Sequence, residues 1–381
     1  MQILHNLYKC SRNVLLCIMS ELSPKIKDPF RLRGTAQNPK SRFDAHARVT
    51  ESDDWFDPLE GVTTSRAEVA LEQARSIITY NTSPDLPFDR SINAYRGCEH
   101  GCIYCFARPS HNFLDLSAGL DFETKLIAKP NAAAVLQREL AKPSYVVRPI
   151  AIGTNTDPYQ PIDHTYQITR EVIEVLQRTK HPVAIVTKGA LVSRDIDRLA
   201  QMAQDNLVRV GVSITTLDPK LSRLMEPRAP APNVRLKTIE RLAEAGIPVR
   251  VMASPMIPAL TDHELERILA AGRDAGASSA SWIMLRLPRD VADLFVDWLH
   301  RYFPHRAERV LGHIRDMHDS RLYDPQFGKR MRGSGPYADL VEQRFQVAIK
   351  KLGLAHRVPK LNCDLFQPPR KSSDQLDFFD N

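Results

Sequence analysis

No stretch of the 381-residue chain is apolar for long enough to cross a membrane. The longest early candidate, Val14-Leu-Leu-Cys-Ile-Met19, is too short for the core of a secretory signal, and no small-residue cleavage site follows it. These absences give the expectation of a cytoplasmic protein with no membrane partner. Internal repeats and low-complexity tracts are also missing, so repeat architectures do not apply. Cysteine is scarce, with six in the whole chain. A chain of this length does not need disulfide staples, and clustered thiols in a long cytosolic-type chain point to metal binding or catalysis. Cys10, Cys17 and Cys363 are isolated and read as inert, whereas Cys98, Cys102 and Cys105 crowd into one short loop.

What is present is ordinary for a globular protein: 43% hydrophobic and 25% charged residues, enough for a large core in one to three domains. The formal charge of +7 is uneven. Residues 1–50 carry +6 and residues 329–381 carry +4, which leaves −3 for the middle. Basic ends on a near-neutral body suit phosphate contacts with a nucleic acid, or simply solvated tails.

Residues 1–60 are read as a flexible amino-terminal arm, since residues 20–60 are rich in Pro, Arg, Asn and Asp without periodicity. Met19 opens a polar stretch, so residues 1–18 are a candidate mis-called start. Residues 65–78 have helix-forming composition. From about residue 90, apolar Val/Ile-rich runs alternate with helical ones. The expected strands are Ser91–Tyr95, Val147–Gly153, Val183–Lys188, Val208–Ile214, Val249–Ala253 and Ser281–Leu285. Asn131 and Ser193 are expected to cap the helices that follow them, and Thr261-Asp-His-Glu264 has capping-box spacing. About six strand–helix steps with right-handed crossovers imply an α/β barrel or partial barrel over residues 61–290, with chemistry on the loops leaving the strand C-termini. An amphipathic helix over 290–303 and a His/Arg-crowded stretch to 332 open a helical extension, 291–360, before a flexible tail, 361–381.

The loop GCEHGCIYCFARPSH, residues 97–111, follows the first strand of that series. A cubane iron–sulfur cluster takes a thiolate on each of four irons. Three cysteines leave one iron open, and the amine and carboxylate of S-adenosylmethionine can chelate it. One electron then breaks the S–C5′ bond to give methionine and a 5′-deoxyadenosyl radical. Gly97 and Gly101 permit the tight curvature, and Tyr104 can pack on adenine. The competing reading is a structural zinc completed by His100 or His111, although no second cysteine pair exists.

Cys98, Cys102, Tyr104 and Cys105 match the Cys-x3-Cys-x-aromatic-Cys loop, which resembles the radical S-adenosylmethionine superfamily. With GTNTDPYQPID (153–163), TKGALVSRDIDRLA (187–200), SITTLDPKLSRLMEPRAPAP (213–232) and SPMIPALTD (254–262), the chain resembles the DNA repair photolyase-like branch, related to spore photoproduct lyase. The resemblance implies a partial (β/α)6 TIM-like barrel, one [4Fe-4S] cluster and S-adenosylmethionine, with a reductase or flavodoxin-type electron donor. By residue, it implies Lys188 for the cofactor carboxylate, Ser213 for ribose or carboxylate, Asn155 and Asp157 for the amine, and Ile257 beside adenine. Arg228 faces either an anionic substrate or a surface acid. One departure is that Gly153–Asp157 lacks the cysteine that serves spore photoproduct lyase as hydrogen donor. Tyr95, Tyr159 and Tyr166 are candidate relays instead.

Gln375-Leu-Asp-Phe-Phe379 resembles the peptides by which bacterial repair proteins dock on the sliding clamp. That would favour DNA over RNA. The leading expectation is a radical enzyme acting on a nucleic-acid base or lesion. The alternatives are an RNA-modifying radical enzyme and a non-catalytic iron–sulfur DNA-binding or clamp-adaptor protein.

Overall fold

Burial along the Val/Ile runs is nearly continuous, as a sheet covered on both faces requires: every residue but Arg209 is buried in Val208–Ser213. The computed structural model describes residues 33–35, 38, 39, 43, 67–356 and 358–369. Its strands, in chain order, are β1 (Glu68–Leu71), β2 (Ile78–Tyr80), β3 (Arg90–Ile92), β4 (Tyr95–Arg96), β5 (Lys125–Ala128), β6 (Ile150–Ile152), β7 (Val183–Thr187), β8 (Val208–Ser213), β9 (Val249–Met256) and β10 (Ser279–Met284).

Seven of them form one sheet in the order β10-β9-β8-β7-β6-β3-β2. From β3 to β10 every neighbouring pair is parallel, and only β2 is antiparallel, against β3. The crossovers carry helices at Ala132–Leu140, Ile168–Arg178, Ile196–Gln204, Pro232–Glu244 and Leu265–Asp274. This is the expected partial (β/α)6 barrel. Its two edges, β10 and β2, are not paired to each other. The segment around Met331 reaches between them. Met284 N–H donates to the Met331 carbonyl at 2.9 Å, and Arg330 pairs with Asp85, beyond β2, at 2.6 Å.

Several local expectations are corrected. Of the stretch 65–78, the described residues from Ala67 onward are not helical: Glu68–Leu71 form β1, parallel to β5, and Ile78 opens β2. Helical composition there came without an apolar stripe, so cross-strand pairing decided the outcome. The run Ser91–Tyr95 divides. β3 stays in the main sheet, while β4 leaves to join the small sheet β1-β5-β4. Asn93 marks the break, its side-chain oxygen accepting from Asn155 N–H at 2.9 Å. β6 starts only at Ile150, after Pro149, which has no N–H for the ladder. Asn131 precedes its helix, yet its side chain binds both backbone groups of Ala74, at 2.9 Å each. Ser193 falls inside a 3₁₀ turn, Ala190–Asp195, and the helix begins at Ile196. Glu264 does not close a capping box. Its carboxylate accepts from the Thr216 hydroxyl and from Leu217 N–H instead.

The amphipathic helix is present as Asp290–Tyr302 and is followed by helices Pro304–Met317 and Pro336–Leu352. Trp298 ties the first to the barrel by donating from its indole nitrogen to the Leu224 carbonyl at 3.1 Å. Of the carboxyl-terminal residues, 361–369 are described; Phe366 packs on Tyr145 and edge-on to His181. The clamp-like peptide Gln375–Phe379, Cys10 and Cys17 lie outside the described residues. No helix among the described residues is long and apolar enough to cross a membrane.

The fully buried His181 carries a pH prediction. Burial pulls its pKa down to about 4 from 6.5, so the folded protein holds the ring neutral between the Tyr145 hydroxyl and the Pro182 carbonyl. The unfolded chain binds the proton first as pH falls. Stability is therefore complete above 6.5, and roughly 3 kcal/mol should be lost between there and about 4. Urea unfolding of the protein and of His181→Gln across that range should show a flatter slope for the variant. Parallel slopes would remove His181 from the account.

Candidate active site

The cysteine loop leaves β4 and is folded by two glycines in the left-handed region, Gly97 at φ +76° and Gly101 at φ +65°. A side chain at Gly101 would also strike the Glu123 carboxylate, which a Cβ would meet at 2.5 Å. Cys98 and Cys102 are buried and Cys105 is partly so. Successive turns link Gly101 N–H to the Cys98 carbonyl, Cys105 N–H to Cys102, and Arg108 N–H to Cys105. Gln160, beyond β6, accepts from Glu99 N–H at 2.9 Å and donates to the Gly97 carbonyl at 3.2 Å.

The hub of the loop is Arg108, which is fully buried. Its guanidinium donates to the carbonyls of Gly101, Cys102, Ala118 and Gly119 and pairs with Glu123 at 2.6 Å. Glu123 in turn accepts from Gly34 and Thr35 N–H, at 2.9 and 3.2 Å. Part of the amino-terminal arm is thereby fastened to the outside of the loop.

On the barrel side, Tyr104 is buried and its hydroxyl bonds Glu226 and the Thr215 hydroxyl. Glu226 also pairs with the buried Arg235, whose guanidinium donates to the Ser213 carbonyl at 3.1 Å. The Lys188 ammonium lies 5.7 Å from the centre of the Tyr104 ring. Burial works against charge on Lys188, but Cys102 and Glu226 outweigh it and raise its pKa. Burial likewise opposes charge on Glu226, and Arg235 and Lys188 overcome it, holding the carboxyl at about 2. Burial pushes the Cys102 thiol up to about 12 and raises that of Cys98 well above its ordinary value.

Glu226→Gln would keep the shape of this network while stranding buried cations. The expected loss is about 3–5 kcal/mol, read as a shift of the urea midpoint at constant slope. A loss under about 1 kcal/mol would mean that Arg235 finds other partners.

The expected site residues occupy the C-terminal ends of the parallel strands. Tyr104, Cys102 and Ile257 share one apolar cluster with Leu221 and Met225, and Lys188 borders it. Ser213 joins through Arg235. Asn155 hangs from Asn93. Asp157 is committed to structure: it accepts from the Thr187 hydroxyl, Lys188 N–H and Tyr159 N–H at 2.6, 2.8 and 2.9 Å, and faces His100 at 3.4 Å. Burial opposes its charge, and His100 with these donors brings the carboxyl to about 2. Arg228 does meet an acid, but a buried one rather than one on the surface: Glu99, inside the cysteine loop, at 2.8 Å. The hydroxyls of Tyr95 and Tyr159 are bound to Asp163 and Asp195, at 2.5 and 3.0 Å.

The family model of the radical SAM superfamily matches residues 92–271, from the end of β3 into the last crossover helix. The chain belongs to the radical SAM superfamily. It is 37% identical over 272 residues to the uncharacterized protein Rv2578c of Mycobacterium tuberculosis, covering 71% of this chain and 76% of that one. Over 200 residues it is 26% identical to the uncharacterized protein MJ0683 of Methanocaldococcus jannaschii, covering 52% and 72%. In fold it matches spore photoproduct lyase complexed with dinucleoside spore photoproduct. The TM-score is 0.55 at 16% identity, over 75% of this chain and 80% of that one.

The donor set fits the cluster that the superfamily implies. The three thiols are free on one short loop, and thiolates are the ligands that a cubane takes, one on each iron. His100 and His111 are also engaged, with Asp157 and with the Lys125 carbonyl.

Sequence reasoning missed Arg108, Glu123, Glu226 and Arg235. Glu226 stood in the conspicuous MEPRAP string beside Arg228, so a signal existed for it. Arg235 sits in an ordinary amphipathic helix and carried none.

Proposed function

We propose that the chain is a radical SAM enzyme in which Cys98, Cys102 and Cys105 hold a [4Fe-4S] cluster. We further propose that it works in the cytoplasm on a nucleic-acid base or lesion, DNA rather than RNA. The observation that carries the reading is the placement of these three thiols at the C-terminal mouth of six parallel strands, with no fourth cysteine nearby among the described residues. Cys363 lies instead near Arg90 and Arg148, at the opposite ends of β3 and β6. When bound, the cluster and S-adenosylmethionine supply a one-electron cleavage that yields a carbon-centred radical able to take hydrogen from substrate.

The chain's own residues bind and orient. Lys188, kept charged by its neighbours, suits the cofactor carboxylate; Ser213 and Asn155 suit the ribose and the amine. Tyr104 and Ile257 offer apolar walls for adenine. Asp157, its oxygens already taken by four donors, serves by fixing the chain at Lys188 and the turn after Asn155. The substrate class is supported by the fold shared with spore photoproduct lyase and by the basic terminal segments. A flavodoxin-type or reductase donor supplies the electron.

Anaerobic reconstitution with iron and sulfide, then dithionite and S-adenosylmethionine, should release 5′-deoxyadenosine. Its absence from cluster-loaded protein would falsify the enzymatic reading. DNA binding retained in the same preparation would then favour a structural role for the cluster.

A further inference from the structure

Phe106 directly follows the third cysteine, yet it is 48% exposed. An apolar ring is left in water beside the chemistry, where packing would be expected to hide it. Across the mouth, two residues beyond the end of β10, the guanidinium of Arg286 lies 5.1 Å from the centre of that ring. The ring of Tyr323 is 5.9 Å from the same guanidinium, and its hydroxyl accepts from Nη2 at 3.3 Å. Nη1 reaches only the Met331 sulfur, at 3.4 Å, and the buried Nε has no partner. Nearby Arg330 and Arg332 are neutralised by Asp85 and Glu342. Arg286 has no carboxylate partner among the described residues. A second exposed ring, Phe327, lies under Arg330 at 4.6 Å and extends the same pairing along the segment that bridges the barrel edges.

A guanidinium held between rings, without an acid, is suited to a phosphate, which it binds in a planar fork. An exposed ring beside it offers a face on which an unstacked base can lie. We propose that Phe106, Arg286 and Tyr323 form a clamp for single-stranded DNA, Phe106 stacking a base and Arg286 taking the adjacent phosphate. The clamp rests on the nucleic-acid reading above and deepens it. Only an unpaired base exposes the face that Phe106 needs, so duplex is bound less well.

The test is fluorescence anisotropy on cluster-loaded protein with labelled oligothymidine across a salt series, with oligouridine and duplex as parallel probes. Phe106→Ala should weaken binding roughly 5- to 150-fold with the salt slope unchanged. Arg286→Gln should weaken it and shrink the slope by about 0.7, one phosphate on a single strand. Iron content and melting temperature follow the fold. If alanine costs the cluster, Phe106→Leu keeps the bulk without the π face and should show the same loss of affinity. Wild-type affinity in both the Phe106 and the Arg286 variants would overturn the clamp and leave the nucleic-acid reading standing. No binding of any of the three probes by the wild type would remove that reading and the clamp together. Equal loss on oligouridine would assign the clamp to either polymer and withdraw its commitment to DNA.

Discussion

Alanine at Cys98, Cys102 or Cys105 should take 5′-deoxyadenosine formation to background. Replacing groups outside a metal's ligand shell typically costs 10–100-fold in affinity or activity, and loss of a direct ligand should exceed this. Each variant should lose the broad visible absorbance of the reconstituted protein and most of its iron. Cys363→Ala should lose neither, since Cys363 is held near the Leu361 carbonyl and Arg90 on the far side of the sheet. The contrast makes the prediction specific: equal effects at Cys363 and Cys98 would point to general destabilisation. Full activity in any one loop variant would mean that another donor reaches the cluster.

Arg108→Met should be the most damaging change to the loop that leaves every cysteine in place. Methionine fills much of the same volume but returns none of the hydrogen bonds to the carbonyls of Gly101, Cys102, Ala118 and Gly119. It also strands Glu123, which is fully buried, without its cation. Breaking a buried pair from one side costs about 3–5 kcal/mol. A large share of a typical domain's stability is of that size. Because the lost bonds belong to the loop's own backbone, reconstitution should fall together with the unfolding midpoint. The double variant Arg108→Met/Glu123→Gln should recover part of the stability by removing the stranded charge. Iron loading at the wild-type level in Arg108→Met would show that the cysteines hold their geometry unaided.

How far the site could be read from sequence depended on whether its partners were near in the chain. The three cysteines and Tyr104 announce themselves because they are local: eight residues contain them all. Lys188 and Ser213 were implied by the family resemblance, and they lie just past β7 and at the end of β8, strands that the Val/Ile runs mark. Arg108 was invisible for a different reason. Its role comes from Glu123, fifteen residues on, and from carbonyls that converge only when the loop is folded. Glu226 and Arg235 similarly acquire their function from Tyr104, more than a hundred residues away in the case of Glu226. Asp157 shows what the linear chain hides: the resemblance implied a cofactor role for it, and the fold brings Thr187, Lys188 and His100 to both of its oxygens.

The order and parallel direction of the strands, and the loop that carries the thiols, followed from the sequence itself, because hydrophobic periodicity and short-range spacing are written in neighbouring residues. Where the runs broke was settled in three dimensions: Ser91–Tyr95 parted between two sheets, and Glu68–Leu71 became a strand, because the hydrogen-bond partners there come from distant segments. The same holds for charge. Which acid neutralises which base inside the barrel, and which arginine at its mouth has none, depends on burial and proximity that the linear chain does not encode.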